Sequence, residues 1–284
     1  MAAATGRAAD VLLACRKAGE CAARLMRPGN TNTQVTECIA KVAAEFGCEP
    51  VEKVVSYQVK RYIPDGHKQI LTRALEPTDE KLECGEFEFE ENEAYCVDIR
   101  LSTGGGRLKL LPAAPTVYKR RVDESYQLKM RASRVVFNEI AQRFPTMPFT
   151  LRALADERNA KFGIKPLIEH GLVEQYPLAA DKDGGAVVAC YKFTVLLTRT
   201  QTMQICPPPP DAHADAAAGA SSAATADGRA IAAVSPPPLA QPLDTARTVT
   251  DKSVLQVLEM STRRNNKKKN KKKNKGGGGG GAGG

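Results

Sequence analysis

The sequence predicts a mixed α/β (α+β) domain over residues 6–206, followed by a disordered tail. The domain is predicted because apolar residues recur at helical spacing in some segments and alternate with polar residues in others. The tail is predicted from a shift in composition. Residues 207–248 are almost all Pro, Ala, Ser, Gly, Asp and Thr, and residues 262–284 are a Lys/Asn run followed by polyglycine. Neither stretch can bury enough apolar surface to offset the entropy of ordering.

Two helices are predicted at the start of the domain. Apolar residues recur at helical spacing over residues 11–25, and Pro28 ends this helix. A second apolar stripe covers residues 35–46, with Thr33 as its predicted N-cap and Gly47 as its end. These helices precede the first segment with strand-like alternation.

Strands are predicted where apolar and polar residues alternate and Val, Phe and Tyr are frequent, over residues 49–59 and 86–103. Residues 117–119 predict a further short strand. A helical insert is then predicted over residues 124–172. Apolar residues mark one helix face from Met130 to Phe144, and shorter helices are predicted over residues 149–162 and 165–170.

The domain is predicted to close with strands over residues 172–178 and 186–197. They flank Asp181-Lys182-Asp183-Gly184-Gly185, which is rich in residues that tolerate positive φ, so a hairpin turn is predicted. This run resembles the start of a calcium loop, but Lys192 stands at the twelfth position, where a bidentate acid is needed. Gly104-Gly105-Gly106-Arg107 lacks the Gly-Lys-Ser/Thr ending of a phosphate loop and predicts a flexible loop.

A short helix is predicted over residues 249–261, with Val254, Val257 and Leu258 on one side. A helix of this length is marginal alone.

The positive charge of the chain is unevenly placed. The nine cations of the tail match the formal net charge of +9, so residues 1–262 are neutral overall. Within that part, residues 76–98 are acidic, whereas residues 100–134 hold nine Lys and Arg against two acids. A polyanion would therefore meet two separate basic surfaces.

The eight cysteines predict no disulfide framework. The sequence has no secretory signal, no stretch long enough for a membrane span and no CxxC pair, so we expect a reducing compartment and no membrane partner. Cys15, Cys38, Cys96 and Cys190 occupy apolar periodic positions and are predicted to be small core residues. The three histidines have no metal-ligand spacing, and no cofactor is predicted.

Four blocks resemble the proliferation-associated, ErbB receptor-binding protein family. They are LMRPGNTNTQVTECIAKVAAEFGCEPVE, AYCVDIRLSTGGG, TVYKRRVDESYQLKMRASRVVFNEIAQRFPTMPFTLRAL and GLVEQYPLAADKDGGAVVACYKFTVLL. The resemblance covers roughly residues 6–205, and a short helix before a lysine run is also typical of the family. The family in turn resembles type II methionine aminopeptidases, so the resemblance implies a pita-bread fold.

The resemblance implies that the metal site of those enzymes is degenerate here. The enzymes' metal-binding His, the Glu of their YAxExxxSTG block and the Glu of their FEHTxLL strand fall on Tyr57, Asp98 and Lys192. Only Asp98 is a suitable ligand, because an ammonium repels a divalent metal and a phenol is a poor ligand at neutral pH. The enzymes' substrate-binding His falls on Asp65. The expectation is a protein without enzymatic activity.

The resemblance also implies that the chain corresponds to the second half of the pita-bread fold. The two Asp ligands of the enzymes come from the first half. A half-fold leaves a sheet edge and an apolar face uncovered, so we expect poor stability as a monomer and self-association.

The function implied is an rRNA-binding factor that associates with the large ribosomal subunit in ribosome assembly or translation and growth control, located in cytoplasm, nucleus and nucleolus. Other structured RNA and transcription regulators are further expected partners. Contacts to RNA are expected from basic residues in the middle of the domain and in the tail. They are Lys119, Arg120, Arg121, Lys129, Arg131, Arg134, Arg263, Arg264, Lys267, Lys268, Lys269, Lys271, Lys272, Lys273 and Lys275.

Three alternatives stay open at the level of sequence. In the first alternative the basic residues bind no RNA: those of the domain form a solvated face, and those of the tail form a localisation signal. An active metallo-aminopeptidase would have to bind metal despite Tyr57 and Lys192. A transcription co-regulator would bind proteins through the short helix, at Leu255 and Leu258, where relatives carry an LxxLL motif that here ends in Glu259.

Overall fold

The computed structural model describes residues 5–74, 84–205 and 247–263. Most of the predicted linker of residues 207–248 and the tail beyond Arg263 lie outside the described residues. The mixed α/β class is confirmed.

The helices and strands of the described residues follow one another along the chain. The helices are α1 (Arg7–Leu25), α2 (Asn32–Glu45), α3 (Arg131–Arg143), α4 (Glu157–Glu169) and α5 (Lys252–Glu259). The first strands are β1 (Glu49–Pro50), β2 (Val55–Val59), β3 (Gln69–Leu71), β4 (Ala94–Ser102), β5 (Leu108–Leu110) and β6 (Val117–Arg120). The later strands are β7 (Phe149–Thr150), β8 (Val173–Gln175), β9 (Ala179–Asp181), β10 (Val188–Leu197) and β11 (Thr202–Ile205).

The main sheet is antiparallel, with strand order β11-β10-β4-β2-β3 and β1 paired to β4. Its long central pair is β4 with β10, in a register that runs from Val188 opposite Ser102 to Leu196 opposite Ala94. Successive side chains on a strand point to opposite faces, so this register also fixes which residues face the helices.

One face of the main sheet packs on α1 and α2. Tyr95, Val97, Ile99 and Leu101 of β4 are buried in the hydrophobic core with the apolar stripes of both helices. The approach of α1 is close: a Cβ on Gly19 would lie 2.4 Å from the ring of Tyr191. The opposite face, called the open face below, carries the even-numbered side chains of β4 and β10.

A second subdomain has its own core. The small sheet β7-β6-β8 packs with α3 and α4 around buried residues that include Tyr118, Ile140 and Leu167. The predicted insert of residues 124–172 therefore shares its core with flanking strands on either side.

The prediction of two helices over residues 149–162 and 165–170 is wrong, because α4 is continuous and Phe149 belongs to a strand. Gly163 does not end the helix. A Cβ there would lie 2.8 Å from a methyl group of Val136, so glycine allows α4 to approach α3. Pro166 lies inside α4, and burial of Ile164 and Leu167 offsets the hydrogen bond that proline removes.

The predicted hairpin around residues 181–185 is also wrong. β9 pairs with β5, and β10 pairs with β4, so the segments on either side of the turn do not pair with each other. Asp181 instead holds the glycine loop, accepting hydrogen bonds from Ser102 Oγ and Gly106 N, and Asp183 accepts one from Gly105 N at 2.7 Å. The loop of residues 104–107, which was predicted to be flexible, is thus held by hydrogen bonds to two carboxylates.

Two predicted element boundaries also differ from the structure. The N-cap of α2 is Thr31, two residues before the predicted Thr33. Of the predicted strand over residues 86–103, only β4 joins the main sheet. Phe87 and Phe89 instead pair with the α1–α2 connection, where Phe89 N donates to Asn30 O at 2.9 Å.

Helix α5 is docked on the domain. Val254 is fully buried in the main core, and Val257 and Leu258 pack against that core. The segment before α5 is tied to the N-terminal helices: Arg247 pairs with Asp10 at 3.6 Å, and Thr250 N donates to Glu45 at 2.8 Å. The predicted marginal helix is therefore stabilised by tertiary contacts.

Truncation of Val254 to Ala should loosen α5. Loss of the buried side chain should cost about 2 kcal/mol. Amide hydrogen exchange over α5 should then become about 30-fold faster. Leu255→Ala in the same helix is the matched control, because Leu255 is 40% exposed. Equal acceleration by the two variants would contradict the docking of α5.

Candidate nucleic-acid interface and the degenerate metal positions

The three positions that correspond to enzyme metal ligands lie together on the open face. Lys192 of β10 is directly opposite Asp98 of β4, and Tyr57 of β2 is opposite Cys96, two residues from Asp98 on the same strand. The structure therefore brings the predicted residues to one place on the sheet.

The carboxylate of Asp98 is already occupied by cations of this chain. Arg100 donates from Nε to Oδ1 at 3.1 Å and from Nη2 to Oδ2 at 2.9 Å. Lys192 Nζ lies 3.4 Å from Oδ2, and Cys190 Sγ lies 3.5 Å from Oδ1. Both carboxylate oxygens thus face donors where a metal ligand would need free lone pairs.

The electrostatics favour the charged form of Asp98. Burial raises the pKa of this carboxyl, but the hydrogen bonds and charge of Arg100 and the charge of Lys192 outweigh burial and hold the pKa below its usual range. Sequence reasoning missed Arg100. The available signal was its spacing of two residues from Asp98, which places both side chains on one face of a strand.

Tyr57 adds no ligand. Burial raises the pKa of its phenol, so the group is protonated at neutral pH. Among the described residues, no group of three or more His, Cys, Asp and Glu side chains is arranged to hold a metal. The residues of the open face do not fit a two-metal centre.

The prediction that Cys96 and Cys190 are core residues is wrong. Both lie on the open face; Cys96 is half-buried and Cys190 is exposed. On β4 and β10 the apolar side chains that face the helices are at odd-numbered positions, whereas both cysteines are at even-numbered positions. Cys15 and Cys38 are buried as predicted.

Two of the predicted RNA-binding cations have partners within the protein. Lys119 forms an ion pair with Asp65, which links the second subdomain to the loop after β2. The guanidinium of Arg120 lies 5.3 Å from the ring centroid of Phe137, and Arg120 is half-buried. Both side chains therefore contribute to the fold, and their contact with RNA stays a prediction.

The other four cations of the central group are exposed. Arg121 and Lys129 lie in an irregular segment after β6, and Arg131 and Arg134 lie one turn apart in α3. This set, called the basic face below, belongs to the second subdomain, which has its own hydrophobic core. The sequence did not predict that the ring of Tyr126 stacks on the ring of His170, next to Gly171, which Arg121 approaches.

Of the tail cations, only Arg263 falls in the described part of the chain. Its backbone forms an isolated antiparallel β-bridge with Gln201. The remaining predicted tail residues lie outside it: Arg264, Lys267, Lys268, Lys269, Lys271, Lys272, Lys273 and Lys275.

The two leucines predicted for protein interaction differ in exposure. Leu255 is exposed, whereas Leu258 packs against the core. With α5 docked, Leu258 is partly covered by the core and Leu255 is open to solvent.

Three curated relatives each match about two thirds of the chain. ErbB-3 binding protein 1 of Solanum tuberosum is 50% identical over 194 residues, 68% of this chain. Proliferation-associated protein A of Dictyostelium discoideum is 40% identical over 193 residues, and a protein named curved DNA-binding protein from Schizosaccharomyces pombe is 40% identical over 201 residues. The chain is a relative of the proliferation-associated, ErbB-binding family. It spans about half the length of these relatives, 49% of the first two and 51% of the third.

The fold comparison agrees with this relationship. A solved structure of a thermophilic Arx1 matches 92% of this chain and 66% of its own chain, with a TM-score of 0.74 and 25% sequence identity. Methionine aminopeptidase 2-2 of Talaromyces stipitatus is 26% identical over 155 residues, 54% of this chain. The methionine-aminopeptidase-like fold is therefore confirmed. No protein-family model matches the chain.

Acid should reveal the contribution of Asp98 to stability. Because its folded pKa is lowered, the carboxylate stabilises the fold above its unfolded pKa of about 3.9, and this stabilisation is lost as pH falls through the folded value. Asp98→Asn should cost about 1 kcal/mol at neutral pH, since Arg100 and Lys192 are half-exposed and solvent weakens the pairs.

Urea unfolding as a function of pH measures this effect. The wild-type protein should lose more stability than Asp98→Asn on acidification below about pH 4. The control is Glu90→Gln, which removes an exposed carboxylate paired with Lys68 at 2.7 Å and should leave the acid profile nearly unchanged. Parallel profiles for the wild-type protein and Asp98→Asn would contradict the assignment.

Proposed function

We propose that the chain is a non-catalytic RNA-binding protein that associates with rRNA and the large ribosomal subunit, in ribosome assembly or in control of translation and growth. The observation that carries this proposal is the charge arrangement of the domain. The one carboxylate left at the enzyme metal positions is bound by Arg100 and Lys192, while a separate subdomain presents the basic face to solvent.

The absence of catalysis is supported by chemistry on the open face. Two-metal hydrolysis needs several carboxylates or imidazoles to hold the ions and polarise water. Here two of the three corresponding positions are a phenol and an ammonium, and the third is a carboxylate in a salt bridge. A divalent ion would have to displace both cations from Asp98.

Binding of RNA is supported by two kinds of positive surface. The basic face is fixed on a folded subdomain, and a fixed array of charges matches structured RNA better than a flexible strand. The tail is a run of cations that binds phosphates without reading sequence. The name of the relative from Schizosaccharomyces pombe, curved DNA-binding protein, is consistent with a nucleic-acid partner.

The wider setting follows from the same proposal. We place the protein in the cytoplasm, nucleus and nucleolus, with other structured RNA and transcription regulators as further partners. Docking of Leu258 on the core weighs against a co-regulator that acts through α5. In the described part of the chain, no helix is long and apolar enough to cross a membrane.

The protein should release no methionine from a Met-Ala-Ser peptide supplied with cobalt or manganese. The expected result follows from the cations that occupy Asp98. Product formation can be followed by mass spectrometry, with an active type II methionine aminopeptidase as the positive control. Turnover that disappears on Asp98→Ala would show that the chain is an enzyme.

Removal of the basic face should weaken association with ribosomal subunits more than binding to an unstructured oligonucleotide. The variant is Arg121→Ala, Arg131→Ala and Arg134→Ala, which spares Arg120 because of its contact with Phe137. If each arginine contacts one phosphate, the slope of log K against log salt should fall by about 2 to 3. Sedimentation through sucrose gradients at low and high salt, together with filter binding, measures both ligands.

A charge-matched control variant changes Lys41, Lys182 and Lys252, three exposed cations outside the basic face, to Ala. It should leave ribosome association near the wild-type level. Deletion of residues 263–275 should weaken binding to both ligands to a similar degree. Equal losses on both ligands for the arginine variant would reject the basic face as a docking surface, and absence of the wild-type protein from ribosomal fractions at low salt would reject the proposed function.

A further inference from the structure

A pair of stacked rings lies on the surface of the second subdomain. The rings of Tyr126 and His170 are nearly parallel, with centroids 3.6 Å apart and planes inclined by 16°. Tyr126 is 42% exposed, and His170, the C-cap residue of α4, is also exposed. Each ring covers one face of the other, and much of the pair remains in contact with water.

The segment that carries Tyr126 is held at both ends. Arg121 N donates to Leu172 O at 2.9 Å, and Leu128 is buried in the core of the second subdomain. Residues 121–127 between these anchors are all exposed. Leu128 thus provides the packing of this segment, and the stack of Tyr126 on His170 is an ordered surface feature that lies outside the core.

A guanidinium lies close to the stack, and further charged residues lie in the same segment. The guanidinium of Arg121 reaches Gly171, the residue after His170, with Nη1 3.8 Å from the position of a Cβ there. Lys129 follows in the same exposed segment. Asp123 and Glu124 lie in that segment as well, so the charges of these four side chains balance. A ligand that used charge alone would bind here poorly, whereas a ligand with a flat ring and a phosphate would match both features.

We propose that the Tyr126–His170 stack is a binding site for an unpaired base of RNA. The base would stack on the outer face of the ring pair, and Arg121 would contact the adjoining phosphate. Stacking on aromatic side chains is a general way in which proteins hold unpaired bases. The stack is present without RNA, so little entropy is lost in ordering it. This inference rests on the proposed function and assigns part of it to a defined site.

The test compares two RNA probes on the full-length protein. One is a stem–loop with unpaired loop bases, and the other is a fully paired duplex of the same stem and equal charge. The loop carries 2-aminopurine, whose fluorescence is quenched when the base stacks. The chain has no tryptophan, so protein emission does not obscure the signal.

Loss of the Tyr126 ring should weaken binding to the stem–loop alone. Tyr126→Ala should weaken stem–loop binding by about 5- to 100-fold and leave duplex binding unchanged. Tyr126→Phe should bind as the wild type does, because the ring remains. Neither variant should change the salt slope, since no charge is removed. The control Phe162→Ala removes a ring that is 73% exposed on α4 and should have no effect.

The 2-aminopurine signal provides a second readout that does not depend on a variant folding well. Quenching of the loop base by the wild-type protein supports the site. If the wild-type protein binds the stem–loop without quenching, or if Tyr126→Ala binds both probes as the wild type does, the stacking site is rejected while RNA binding stands. If the wild-type protein binds neither probe, the proposed function fails together with the site.

Discussion

The pairing of β4 with β10 fixes both faces of the main sheet. In this register Val97 and Ile99 face α1 and α2, and Asp98, Arg100 and Lys192 share the opposite face. A slip of one residue would move the charged side chains into the core and the apolar ones into water, at a cost that the fold cannot tolerate. The hydrophobic core and the charge cluster of the open face are therefore two results of one constraint.

The charge cluster distinguishes the open face of this sheet from a site that holds two metal ions. A carboxylate at the centre of a sheet is a good metal ligand only while its lone pairs are free. Here a guanidinium supplied two residues along the strand and an ammonium supplied by the neighbouring strand neutralise it. The ion pair of Asp65 with Lys119 links the loop after β2 of the main sheet to the second subdomain. The exposed cations of the basic face lie on that second subdomain.

Much of this arrangement could be predicted from local sequence. The periodic patterns of α1, α2 and β4 are clear because one face of each element is apolar. The degenerate positions Tyr57, Asp98 and Lys192 were found through family resemblance.

Predictions failed where a distant contact overrides a local signal. The turn of residues 181–185 looks like a hairpin, but β9 finds its partner in β5. Gly163 and Pro166 look like helix breaks, but packing on α3 keeps α4 intact. Docking of α5 depends on helices more than 200 residues earlier in the chain.

Metal titration shows directly whether Asp98, which is held by Arg100 and Lys192, is available to a divalent ion. Isothermal titration calorimetry of the purified protein with manganese at neutral pH measures this property without reference to any substrate. The occupied carboxylate predicts no saturable heat for the wild-type protein and the same flat titration for Asp98→Asn. Saturable binding by the wild-type protein that disappears in Asp98→Asn would contradict this prediction.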